Sequence, residues 1–406
     1  MAAFSTSAIR ATDISGTACG AIFQTPDFAY LGLPVAIPAM EYERGAVAEI
    51  KITASGAFTL KIAFSKRVYR TTGTFVEQEG STPEFPYHVA VIGETTEGFI
   101  MQIDRGPDGV VAFFWDDAEG NGAGGGMALS PVVQRDGLPI GEIAAYNTVF
   151  IRPYPLLQGN DSSPEDLKVG TGYGSLKIRA SGRSTFVGVL PDGKTVTANG
   201  PLTFGADLGV PVLLRASAKD SLVCSLPVMD QLEAQGIWYK KASNGNNTIH
   251  PAGGPLGVTI TSAPYTPPTS GELAILGTPD QPLNAVLELL AADRPGAGSP
   301  SDPVAFLTQP FKLKANHQAV FPAPNTDKLK VDFHPQTGFF TGSVKLPVTP
   351  PLQPKKVEFR GVVKQHRNDG YGEAEGFYVA DPLPGTVDAP KVSGLVRIAP
   401  SVVSAE

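Results

Sequence analysis

Residues 46–75, AVAEIKITASGAFTLKIAFSKRVYRTTGTF, constrain the fold of this chain more than any other stretch. Ile50 and Ile52 alternate with Glu49, Lys51 and Thr53. Beyond Ala54-Ser55-Gly56, Phe58, Leu60, Ile62 and Phe64 alternate with Thr59, Lys61, Ala63 and Ser65. A period of two lays one side of an extended segment on a core and the other in water. Wound into a helix, the same residues would scatter their apolar groups around the cylinder. Gly56 supplies the positive φ that a tight hairpin turn needs. The pattern therefore predicts two paired antiparallel strands, 49–53 and 58–64, with a third strand-like run ending at Gly73-Thr74-Phe75.

The figure returns at 174–197 (GSLKIRASGRSTFVGVLPDGKTVT) and at 328–361 (KLKVDFHPQTGFFTGSV…KVEFRG). The turn glycines Gly56, Gly182 and Gly338 stand a small domain apart, well beyond the ~20–50-residue period of a solenoid. The expected fold is all-β: two or three tandem antiparallel β-barrel or sandwich units built around related Gly-turn hairpins. The units are placed at 1–135, 136–265 and 266–406, and the last two also read as one larger domain. Glycine (45) and proline (37) fit a chain of short strands and many turns.

Further strands are expected at 88–93, 98–103, 110–115, 127–134, 145–153, 210–215, 221–226, 236–240, 357–363, 375–379 and 392–398. The run VVAFFW, apolar on both faces, reads as central. Residues 13–40, cut by Pro26, Pro34 and Pro38, read as edge strands or extended connections, because proline offers no amide to a ladder. Residues 116–126 read as a loop, 161–167 as a single helical turn, 283–290 as a strand and 399–406 as a frayed end.

Composition removes several function classes. A net charge of −7 with scattered lysines and arginines argues against a nucleic-acid partner. No apolar run approaches 18 residues, so no membrane-spanning helix is expected. Cys19 and Cys224, with no CxxC, exclude a disulfide framework and a cysteine zinc site. Two separate buried thiols are expected, with one long-range disulfide as the alternative. The opening residues, MAAFSTSAIRATDISG, have neither the charged segment nor the apolar core of an export signal. They read as a cytoplasmic protein or as a mature or partial chain.

The five histidines, His88, His250, His317, His334 and His366, fall in no paired metal spacing, and no GxSxG elbow occurs. No catalytic residue, cofactor or metal site is therefore expected. Asp116, Asp117 and Glu119 could gather oxygen ligands for calcium, although a solvated loop explains them as well. The glycines at 120–126 lack the Lys-Ser/Thr of a phosphate loop. Trp115, Trp238 and Tyr239, with Tyr173, could offer stacking faces to a sugar, although in β proteins such residues are more often cross-strand or core partners.

Several of these pieces, taken in order, resemble a known module. Gly172-Tyr173-Gly174-Ser175-Leu176, Ala180-Ser181-Gly182-Arg183 and Leu190-Pro191-Asp192-Gly193-Lys194 resemble the β-rich repeat of large secreted and surface proteins of Verrucomicrobia- and Planctomycetes-type bacteria. The steps GIWYK (236–240), HPAG (250–253), KLKV with PQTGFFTG (328–342) and QHRNDGYG (365–372) resemble its later landmarks. The resemblance covers about residues 140–400 well and 15–135 loosely. It implies an extracellular or cell-surface setting and a non-enzymatic structural or adhesive role, with protein partners or self-association. A carbohydrate-binding module is the alternative, and a glycoside-active enzyme the second.

Overall fold

The computed structural model describes residues 16–23, 45–64, 68–77, 88–92, 100–106, 109–115, 125–138, 143–154, 171–204, 208–217, 220–229, 232–241, 254–269, 272–275, 281–291, 305–346, 355–366, 370–380 and 392–401. Among these residues the chain is all-β, with one short 3₁₀ turn at Arg135–Gly137 and no α-helix.

Three antiparallel sheets follow one another along the chain. The first holds β1 (Gly16–Phe23), β2 (Gly45–Ile52), β3 (Ala57–Phe64), β4 (Val68–Thr74), β5 (Val76–Glu77), β6 (His88–Ile92), β7 (Ile100–Gly106), β8 (Gly109–Trp115) and β9 (Gly125–Pro131). The second holds β10 (Tyr146–Tyr154), β11 (Gly172–Ile178), β12 (Arg183–Val189), β13 (Thr195–Pro201), β14 (Gly209–Ser217), β15 (Asp220–Pro227), β16 (Glu233–Lys240) and β17 (Gly254–Pro264). The third holds β18 (Ala285–Ala291), β19 (Ala305–Leu313), β20 (Ala319–Val320), β21 (Lys330–His334), β22 (Phe339–Leu346), β23 (Lys355–His366), β24 (Tyr371–Ala380) and β25 (Val392–Pro400).

Each sheet is an up-and-down meander whose first and last strands pair: β1 with β9, β10 with β17, β18 with β25. This pairing returns the chain to its own start and moves the open seam inside the meander. In the second sheet the seam lies between β13 and β14, narrowed by reciprocal Thr203–Gly209 backbone bonds of 2.9 and 3.2 Å. In the third it lies between β20 and β21, bridged at Gln318–Asp332. These two eight-stranded sheets are nearly closed barrels.

The alternation of the opening stretch fixes its register. Ile50 lies opposite Leu60 and Ile52 opposite Phe58, all buried in the core of the first sheet. The recurrence is equally physical. Gly56, Gly182 and Gly338 have φ of 82°, 77° and 73°. Each glycine carbonyl accepts an amide from the next strand position along, Phe75, Leu202 or Val363, at 3.0, 2.7 and 2.8 Å. The turn thus ties three strands, not two.

The third recurrence sits elsewhere in its sheet. Gly56 and Gly182 join the second and third strands of their units, whereas Gly338 joins the fourth and fifth. The turn equivalent to the first two is 314–318, between β19 and β20. There His317 takes φ 63°, and Lys314 N to Gln318 O at 3.0 Å with His317 N to Lys314 O at 2.8 Å repeats the pair Thr53 N to Ala57 O at 2.8 Å and Gly56 N to Thr53 O at 3.0 Å.

Two other expectations are corrected. β1 lies between β2 and β9 in the sheet interior, because its amides precede Pro26 and no proline interrupts the ladder. Of the stretch read as a frayed end, residues 399–401 are held, the Ser401 hydroxyl donating to Leu283 O at 2.9 Å and its amide to Asn284 O at 3.0 Å, while 402–406 lie outside the described residues. The loop reading of 116–126 loses its last two residues to β9, and the predicted helical turn at 161–167 lies outside the described residues.

Gly56 and Gly182 offer a matched test. A Cβ on Gly56 would meet nothing closer than 3.9 Å, so Gly56→Ala carries only the left-handed backbone cost of about 1–2 kcal/mol. A Cβ on Gly182 would sit 2.0 Å from Val133 O. Gly182→Ala therefore adds a backbone clash worth about 1–3 kcal/mol more. Urea unfolding of the two variants should separate them; equal losses would contradict the docking of Val133 on this turn.

Candidate functional site

Phe377, Phe150 and Tyr173 show how the units meet. On β10, Val149 and Ile151 enter the barrel core, so Thr148 and Phe150 face outward; Tyr173 on β11 does the same. On β23 and β24, Val357, Phe359, Ala374 and Tyr378 face inward, leaving Val362 and Phe377 outward. The outward residues meet as one buried cluster of Phe150, Tyr173, Val189, Val362 and Phe377. Tyr173 lies 5.9 Å from Phe339 and 6.0 Å from Phe377, ring to ring. Its burial drives the phenol pKa upward, with the nearby Arg360 charge opposing.

Polar contacts frame this cluster. Arg360 donates to Gly193 O at 2.9 Å, Arg152 pairs with Glu375 at 2.6 Å, and the Tyr265 hydroxyl donates to Pro335 O at 2.5 Å. Gln365 accepts from Thr266 N at 3.0 Å and donates to Ala274 O at 3.1 Å. On another side of the barrel, β1 and β2 pack on β14 and β15, and Arg215 donates to Phe64 O.

The Pro191-Asp192-Gly193 turn, with Gly193 at φ 87°, aims Asp192 back over the end of the second barrel. There it meets the first residue of β15, Asp220, and the last two alternating positions of β16, Trp238 and Lys240. Lys240 Nζ is 2.8 Å from Asp192 Oδ2 and 4.0 Å from Asp220 Oδ2. Lys194 Nζ is 3.0 Å from Asp192 Oδ2 and also bonds Asp220. The Trp238 indole donates to Asp220 Oδ1 at 2.9 Å, and Lys240 lies 5.3 Å from its ring centre. The side chains of Lys240, Asp192 and Asp220 are only 2%, 3% and 2% exposed, while Lys194 at 47% forms the rim.

Two cations and two carboxylates balance within this enclosure. Burial disfavours the ionised Asp192, yet the hydrogen bonds and charges of Lys240 and then Lys194 outweigh it and hold its pKa below the usual range. Burial likewise opposes the Lys194 ammonium, and its bonds to Asp220 and Asp192 prevail and raise its pKa. A lysine nucleophile needs the opposite of the Lys194 shift, and a glycosidase acid the opposite of the Asp192 shift.

The candidates from sequence are dispersed. Trp238 is fully buried with its indole committed to Asp220, so it offers no face to a sugar; the apolar walls of the barrel enclose it. Tyr239 points to the other side of β16 and is half-buried. Trp115 ends β8 opposite Ile100. Asp116, Asp117 and Glu119 lie outside the described residues. Among described residues no three His, Cys, Asp or Glu gather to hold a metal. His334 closes β21 and its carbonyl takes the turn amides of Thr337 and Gly338, whereas His250 lies outside the described residues. Cys19 and Cys224 are separate buried thiols; burial pushes Cys19 up to about 12, with the Glu49 charge adding, and burial also raises Cys224.

In the sequence LPDGK reads only as a turn, and the periodicity does not single out Asp220 or Lys240. The available signal is a charge at the end of an otherwise apolar strand, in DSLVCSL and GIWYK.

No family model and no curated protein matches the chain. Among solved structures, intact Ap-TbpB (N and C lobes) aligns over 95% of this chain and 76% of its own, with 11% identity and a TM-score of 0.19.

Proposed function

We propose that this chain is a non-enzymatic structural or adhesive β-repeat segment of a surface, secreted or filament-forming assembly. The observation that carries this reading is the buried apolar cluster of Phe150, Tyr173, Val189, Val362 and Phe377 between the second and third sheets. Exposed on a free unit, those side chains would form an apolar patch; pressed together, they make two barrels one stiff body.

The second barrel meets its neighbours on different strands: β10, β11 and β17 against β23 and β24, and β14 and β15 against β1 and β2. Units keyed on separate walls transmit load from one to the next, as a spacer requires. The resemblance to repeat modules of bacterial surface proteins points the same way. Partners in this reading are proteins, including further copies of the chain.

Limited proteolysis combined with small-angle scattering tests the proposal. The expected result is resistance to cleavage at 265–284, a fixed particle length, and concentration-dependent association without glycan binding on an array. Free hinge motion between the barrels, or saturable binding of one glycan by the monomer, would sink it.

A further inference from the structure

We propose that Lys240 and Asp192 condense into an intramolecular isopeptide bond, with Asp220 relaying the protons. The amine and the carboxyl already touch, at 2.8 Å, inside a pocket that leaves each side chain 2–3% exposed. Holding the reactants in contact replaces a bimolecular encounter and carries a large effective concentration. The second acid stands 4.0 Å from the same nitrogen, anchored by the Trp238 indole at 2.9 Å. Burial beside Trp238 keeps out the water that would reverse the reaction.

The atoms balance without any co-reactant. Lys240 gives one ammonium proton to the Asp192 oxygen it already contacts, and its free amine attacks Cγ of the neutral acid, forming the N–C bond. Asp220 then takes a second proton from nitrogen and passes it to the departing hydroxyl. The C–O bond breaks, one water leaves, and Asp220 ends as the carboxylate it began as. Lys194 and Asp220 remain as a charge-neutral bonded pair, so no buried ion is stranded. Its ammonium partners favour the ionised form of Asp192, so the condensation is slow after folding.

The bond has a mechanical place. It joins the β12–β13 turn to the end of β16, reaching across the β13–β14 seam where the ladder of the second barrel is interrupted. A covalent tie there prevents the barrel from opening under load.

Purified full-length chain, aged after folding, is analysed by intact mass and by peptide mapping. The expected result is a protein lighter than its sequence by one water, with a branched peptide joining the Lys240 and Asp192 segments. A succinimide at Asp192-Gly193 also loses water but leaves linear peptides and opens with hydroxylamine; that result, or full mass with linear peptides, overturns the proposal. Asp192→Asn should still condense, releasing ammonia in place of water. Asp220→Asn keeps the indole acceptor and should slow the linkage about a hundred-fold while circular dichroism stays native. Equal linkage rates in a folded Asp220→Asn chain would remove the relay role.

Discussion

Measured against freshly folded parent, before any Lys240–Asp192 linkage forms, Lys240→Met is expected to destabilise the second barrel by about 3–5 kcal/mol, the range for removing one partner from a buried ion pair. The side chain is 2% exposed, so solvent screens little of the loss. Methionine fills the volume of the lysine stem, which separates the charge effect from a packing effect. What it leaves behind is the damage: Asp192 and Asp220 enclosed together with Lys194 as the sole cation. The double variant Lys240→Met/Asp192→Asn restores neutrality, because Lys194 and Asp220 still pair. The carboxamide that replaces the Asp192 carboxylate also keeps an acceptor oxygen for the Lys194 amide, 3.3 Å away in the parent. The double variant should therefore be more stable than Lys240→Met alone, a coupling that independent sites would not show. Urea unfolding followed by tryptophan fluorescence reads both variants. Additive losses would mean that the four charges do not act as a unit.

The contrast between hairpins and cluster shows what one sequence makes visible. The β2–β3 hairpin is legible because each piece of information lies within twenty residues: alternating Ile50, Ile52, Phe58 and Leu60, and a glycine at the turn. Residues 283–290 fit both periods, and the surrounding strands decide correctly for β18, Ala285–Ala291. The turn at 314–318 goes unmarked because its left-handed residue is His317, not glycine, and nothing local signals an L-residue held there by the fold. Reading β1 as an edge misjudges the reach of prolines that lie beyond its last amide. The charged cluster is illegible for a different reason. Asp192, Asp220 and Lys240 come from three separate places in the chain, and only the closing of the meander brings them together. An apolar outward residue such as Phe377 carries no mark that says which unit will cover it.

That last point makes Phe377 the sharpest probe of how the units are joined. Its ring is 1% exposed, lies 6.0 Å from Tyr173, and sits under the Arg360 guanidinium at 5.5 Å. Phe377→Ala should cost about 3–5 kcal/mol, the range for a buried phenylalanine, and the loss should fall on docking and not on either core. Phe359 is the control: one strand earlier, equally buried at 1%, but pointing into the core of the third barrel over Gly342. Phe359→Ala should lower the stability of that barrel and leave the joint closed. Phe377→Ala should instead expose 265–284 to protease, lengthen the particle in small-angle scattering, and split thermal unfolding into separate transitions with both barrels intact. If the two variants behave alike, the barrels share one core and the joint is no independent element; if they diverge as stated, the stiffness of the chain resides in five outward-facing side chains.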